Sequence, residues 1–179
     1  MAEALNFRKT RFSFESSECP QLASPEAVSS MCMALSERSD RLAVLSDTCL
    51  YLLEGELELA APASPVPRES IACVDFAAIA DTPTKVLWIT HQVVGVGFRS
   101  GCIRCYDTQG QQICIHQPHN TPVKSLRKKS SLTTDSGHPS AFAASLWVLY
   151  EGGVLASIPI YALAAEMSPS EVPYQLFKL

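Results

Sequence analysis

The stretch VLWITHQVVGVGFRSGCIRCYDTQGQQICIHQ, residues 86–117, decides the fold. Short runs of Val, Ile and aromatic residues alternate there with the turn clusters RSG at 99–101 and DTQG at 107–110, which reads as strand, turn, strand, turn, strand. Val94, Val96 and Phe98 fall at period two, as do Ile103 and Cys105 ahead of Tyr106, so each strand has one packed face and one less buried face. Gly95 and Gly97 lie inside the first strand, where a missing side chain marks a bulge or the close approach of a neighbouring sheet. The unit is an antiparallel meander in a packed all-β assembly.

Upstream, residues 1–30 read as an N-terminal strand, with Phe12 and Phe14 alternating, followed by a loop broken by Pro20 and Pro25. A second meander follows: MCMAL, a polar turn, RLAVLS, the turn at Asp47 and Thr48, then CLYLLEGELEL. Residues 60–70, AAPASPVPRES, are too proline-rich for an inner strand and form an exposed connection, more simply a rigid loop than an adaptor-domain ligand. Apolar character resumes in IACVDFAAIA, which enters the central stretch through the turn DTPT at 81–84. Downstream, residues 118–140 are polar, rich in Ser and Thr and locally basic, as expected of a long surface loop. A third strand pair, LWVLY and Val154 onward, turns at Glu151, Gly152 and Gly153 and stops at Pro159; one or two helical turns are expected over 162–167.

The three tight turns, at Asp47, Ser100 and Gly152, recur about every fifty residues within a common unit of apolar strand, small turn and apolar strand. That interval suits propeller blades with long outer loops better than a sandwich, whose strands recur at about 8–12 residues. Residues 31–179 are therefore expected to form a partial β-propeller of antiparallel, WD40-like blades, about two blades plus part of a third. Such an arc cannot close a ring alone and leaves strand edges open to other chains.

Composition narrows the function. At 179 residues and 47% hydrophobic the chain can bury a core, while a net charge of -4 and a pI of about 5.5 lack the basic excess that nucleic acid demands. No apolar run approaches the ~20 residues of a spanning helix, and residues 1–14 lack the pattern of a secretory signal. Seven scattered cysteines, an odd number, point to reduced thiols and a cytoplasmic setting.

The run VVGVGFRSGCIRCYDTQGQQI, 93–113, resembles the N-terminal region of the regulatory, non-catalytic subunit of the Rab-three GTPase-activating protein complex. The family's V-G-F-x-S-G-x-[VI]-R-x-Y segment falls on Val96, Gly97, Phe98, Ser100, Gly101, Ile103, Arg104 and Tyr106, followed by the Gln109-Gly110 turn. Weaker likeness extends over most of the chain from about Ser29, through IACVDFAAIA, LWVLYEGGVLASIPIYAL and VPYQLFKL. The resemblance implies a scaffold that pairs with a separate catalytic subunit accelerating GTP hydrolysis on Rab proteins in membrane traffic. The complex is also linked to nucleotide exchange on another Rab. It further implies that this subunit supplies no catalytic arginine.

Other chemistries fit less well. Gly95, Gly97 and Gly101 imitate a dinucleotide fingerprint, but the glycines open a strand, where a phosphate site needs a helix N-terminus. Cys102, Cys105, Cys114 and His116, with His119 beyond, offer thiolate and imidazole ligands for a small zinc- or thiol-dependent enzyme. If the run at 102–106 is a strand, however, Cys102 and Cys105 point to opposite faces and share no ion. His91 and His138 read as solvated, Arg99 and Arg104 flank the central turn, and Arg104 suits a structural ion pair or partner contact better than a phosphoryl-transfer finger. No catalytic, cofactor or metal residue is therefore assigned. Lys124, Arg127, Lys128 and Lys129 fit a solvated loop best, an acidic partner or a basic-directed phosphorylation site at Ser130 or Ser131 less well, and Arg127, Lys128 and Lys129 are the candidate partner contacts.

Overall fold

A computed structural model describes residues 10–11, 31–38, 40–57, 72–129, 144–164 and 172–179. The expectations for residues 12–30, 60–70 and His138, and for the segment at 165–167, lie outside the described residues. Fourteen strands and one short helix are described. Strands β1 (Thr10–Arg11) and β5 (Glu56–Leu57) pair with each other. The remaining strands form three four-stranded antiparallel sheets. The first contains β2 (Cys32–Leu35), β3 (Arg41–Leu45), β4 (Cys49–Glu54) and β6 (Ala72–Asp75). The second contains β7 (Pro83–Trp88), β8 (Val93–Phe98), β9 (Ile103–Asp107) and β10 (Gln112–His116). The third contains β11 (Val123–Lys129), β12 (Ser145–Tyr150), β13 (Val154–Pro159) and β14 (Gln175–Lys178). Helix α1 (Ile160–Ala164) follows β13 and touches β10.

Each sheet is a meander in chain order, and the sheets meet through their first strands β2, β7 and β11. That is the arrangement of consecutive propeller blades around a common axis. The Thr84 hydroxyl on β7 lies 3.0 Å from the Gly97 carbonyl and 2.9 Å from that of Val123 on β11, and the Trp88 indole N–H donates to the Ala34 carbonyl of β2 (3.1 Å). The turns at Asp47, Ser100 and Gly152 all join the second strand of a sheet to its third, so the fifty-residue repeat has one structural meaning.

Alternation builds two cores between sheets, and a further cluster of Val44, Cys49, Tyr51 and Leu53 on the other face of the first sheet. Leu50, Leu52, Val94, Val96, Phe98, Cys102 and Tyr106 fill the space between the first and second sheets. Val93, Ile103, Cys105, Cys114, Leu146, Val148, Tyr150 and Ile158 fill that between the second and third. Strand β8 is buried on both faces because it serves both cores.

Three expectations change. The central stretch holds four strands where three were expected, because a bend at 89–92 divides β7 from β8. Thr90 makes it without glycine or proline, its hydroxyl accepting from the backbone N–H groups of Gln92 (3.2 Å) and Val93 (3.1 Å). The expected turn at 81–84 already begins β7, with Pro83 as the strand's first residue, where a missing N–H is tolerated. The expected loop at 118–140 contains β11, which burial of Val123 and Leu126 and pairing with β12 hold in place. With β14 completing it, the third sheet reaches four strands.

Candidate interaction surface

The motif of the central stretch is absorbed in packing. Val96 and Phe98 are fully buried, and Phe98 meets Phe76 edge-on at 5.4 Å. Gly97 leaves room for β11, since a Cβ there would stand 2.5 Å from Val123 Cγ1. Ser100 bonds the Asp81 carboxylate through its hydroxyl and its N–H, and Gly101 takes a φ of 88° to close the hairpin. The Arg104 guanidinium sits 5.4 Å over the Phe98 ring and donates to Gln112 Oε1 at 3.1 Å. It thus makes a ring contact and an amide hydrogen bond, where a structural ion pair or a partner contact was expected.

The cysteine cluster divides. Strand β9 turns Cys105 into one core and leaves Cys102, just before it, in the other, so the two thiols face different sheets. Cys114 stands directly opposite Cys105 across the β9–β10 ladder, a register set by the irregularity between Gln112 and Cys114. The Cys114 thiol donates to the Leu163 carbonyl at 3.5 Å; the facing Cys114 together with burial pushes Cys105 well up, while the facing Cys105 draws Cys114 down. Burial also raises Cys102 against the pull of Arg104. His116, on the face of Cys114, sets its ring edge-on to Tyr174 at 5.2 Å. Among the described residues no group of three or more metal-ligating side chains forms. His91 is exposed at the bend, its carbonyl accepting from the Arg41 guanidinium (2.6 Å), and His119 Nδ1 lies 2.9 Å from the Thr121 hydroxyl.

The three basic candidates lie on β11, and alternation splits them. Lys128 shares a face with buried Leu126 and Leu146 and pairs with Glu37 beyond β2. Arg127 and Lys129 are exposed on the opposite face; Arg127 is in register with Trp147, and Lys129 Nζ stands 4.7 Å over the Trp147 ring. Sequence reasoning missed Trp147 and Phe177, whose rings stack at 6.4 Å on that face. The alternation of β12 was the available signal.

The family model for the Rab3 GTPase-activating protein regulatory subunit N-terminus matches residues 27–164, a span that takes in every strand of the first two sheets and three of the four in the third. No curated protein matches the chain in sequence. Among solved structures, a chain of "Crystal Structure of Mitotic Checkpoint Complex" is similar at 14% identity with a TM-score of 0.45, over 71% of this chain and 33% of that one. Among the described residues no helix is long and apolar enough to cross a membrane.

Proposed function

Because this chain belongs to the family of Rab3 GTPase-activating protein regulatory subunit N-termini, we propose that it is a non-enzymatic scaffold that binds a catalytic GTPase-activating subunit. Through that subunit it modulates GTP hydrolysis on a Rab-family GTPase in membrane traffic, and it works in the cytoplasm. The observation that carries this reading is the extent of the family match, which runs from before the first sheet into the third. The side-chain chemistry agrees. Arg104 is occupied by Phe98 and Gln112, and Cys102 and Cys105 are divided between two cores, so the groups a phosphoryl-transfer or zinc chemistry would use are committed to packing. Flat sheet faces suit docking better than turnover.

The test is reconstitution. Purified chain is mixed with the catalytic subunit and GTP-loaded Rab3, and complex formation and single-turnover hydrolysis are measured. A complex, with a hydrolysis rate that changes when the chain is added and no hydrolysis by the chain alone, is expected. Absence of both the complex and the rate change would remove the reading.

A further inference from the structure

We propose that Cys105 and Cys114 close to a reversible cross-strand disulfide when a hydroperoxide reaches the folded chain, and that closing the bond releases helix α1 from strand β10.

Register carries the first half. The two cysteines are direct partners in the β9–β10 ladder, and both side chains enter the core between the second and third sheets. Opposed residues of an antiparallel pair stand about 4.5–5.5 Å apart at Cα, inside the window of about 4.4–6.8 Å that a disulfide spans. Their Cβ atoms need to draw in from about 4.5–5.5 Å to about 3.5–4.5 Å. The ladder irregularity between Gln112 and Cys114 gives β10 the slack for that small step. Among the described residues no other cysteine lies in that core.

The chemistry has an order. Cys105 is fully buried and is kept protonated by the facing Cys114 and by burial. Cys114 is 5% exposed, lies on the outermost strand of the second sheet and is drawn toward the thiolate by the facing Cys105. Its thiolate attacks the peroxide O–O bond: one oxygen stays as a sulfenic acid, and the other takes a proton and leaves as water or an alcohol. The Cys105 sulfur then displaces the sulfenic hydroxyl, which leaves as water with the Cys105 proton. Two thiols are oxidised and one peroxide bond is reduced. A dithiol reverses the step by thiol–disulfide exchange.

The second half follows from a lost donor. The Cys114 thiol donates to the carbonyl of Leu163, a fully buried residue of α1. A disulfide sulfur carries no hydrogen, so that carbonyl loses its donor when the bond closes. A helix of five residues does not hold itself, and α1 depends on its contacts with β10 and β13. Oxidation therefore removes one of the ties that keep α1 on β10.

The experiment treats the full folded chain with hydrogen peroxide, blocks remaining thiols with N-ethylmaleimide and maps tryptic peptides by mass. Residues 105–124 form one tryptic peptide, whose two cysteines are Cys105 and Cys114. That peptide is expected to appear unalkylated and two hydrogens lighter, and to regain both alkylation sites after dithiothreitol. Cys102→Ser is expected to leave this result unchanged. Amide hydrogen exchange over residues 160–164 is expected to quicken about tenfold in the oxidised chain, the scale of one lost hydrogen bond. Both cysteines alkylated after peroxide, irreversible oxidation of Cys114, or a bridge from Cys114 to Cys102 or to a second chain would overturn the pairing. A reversible bridge with unchanged exchange at 160–164 would overturn the release of α1.

Discussion

Gly101 and Gly152 occupy the same place in successive sheets, the turn between second and third strands, and both take a positive φ, 88° and 84°. Their surroundings differ. A Cβ on Gly101 would stand 2.1 Å from the His119 carbonyl oxygen and 2.7 Å from that of Thr121, whereas one on Gly152 would meet nothing within 4 Å. Gly152→Ala therefore costs only the left-handed backbone penalty, about 1–2 kcal/mol. Gly101→Ala costs at least about 2 kcal/mol more, because backbone must move; urea denaturation of the two variants makes the comparison, and equal costs would contradict the packing of the Ser100 turn on residues 118–122. Tyr106 gives a second test. Its ring is buried and its hydroxyl has no hydrogen-bond partner among the described residues, and burial pushes its pKa from 10.0 to about 12. Removing an unsatisfied buried hydroxyl relieves a penalty of about 1–3 kcal/mol, so Tyr106→Phe is expected to be neutral or stabilising at pH 7. Cys105 and Tyr106 both hold protons longer folded than unfolded. The facing thiols Cys105 and Cys114 shift in opposite directions and oppose each other, so the clear window is that of the phenol: its contribution is fully present below 10.0 and is lost as pH rises from there to about 12. Tyr106→Phe should flatten that loss; an unchanged slope would place the phenol in solvent.

Between elements, Gly97 and Val123 make the closest approach of second and third sheets. A Cβ at Gly97 would lie 2.8 Å from Val123 Cβ and 2.5 Å from its Cγ1. Gly97→Ala should destabilise the chain, and Val123→Ala should cost less in that background than alone, because it removes the nearest clashing methyl and leaves only the contact with the Val123 Cβ position. A double-mutant cycle reads this as a favourable coupling of about 0.5–3 kcal/mol; strict additivity would mean that β8 and β11 do not touch there. The glycine itself was legible as a close approach, but β11 was not. The irregularity between Val123 and Ser125 puts its two buried residues, Val123 and Leu126, three apart instead of two, and the intervening Lys124 and the basic run after Leu126 give the segment a loop's composition. The same effect hid the Cys105–Cys114 pairing, since the irregularity after Gln112 decides which residue of β10 stands opposite Cys105. The meander, the fifty-residue repeat and the opposed faces of Cys102 and Cys105 were legible because they follow from unbroken period-two alternation. The outward face of the third sheet was not, because it is assembled across strands from β11 to β14, and Phe177 joins Leu155 on it only through the register of β14.

At the scale of the molecule, the second sheet belongs to both cores, with Val94, Val96 and Phe98 of β8 in one and Val93 of the same strand in the other. A sheet so shared cannot lose one core and keep the other, because the backbone that presents both sets of side chains is the same six residues. The three sheets should therefore unfold together. Leu50 and Leu146 are fully buried in the first and second cores respectively, so Leu50→Ala and Leu146→Ala should each lower stability by about 2–5 kcal/mol. The discriminating feature is where that loss shows. The chain has two tryptophans, Trp88 in the first core and Trp147 on the outward face of the third sheet, and chains carrying Trp147→Phe or Trp88→Phe report one end each. Denaturation curves followed at the two ends should coincide, and each leucine substitution should shift both by the same amount. If L50A moved only the Trp88 curve and L146A only the Trp147 curve, the sheets would be separate units strung on one chain rather than blades packed through a common strand.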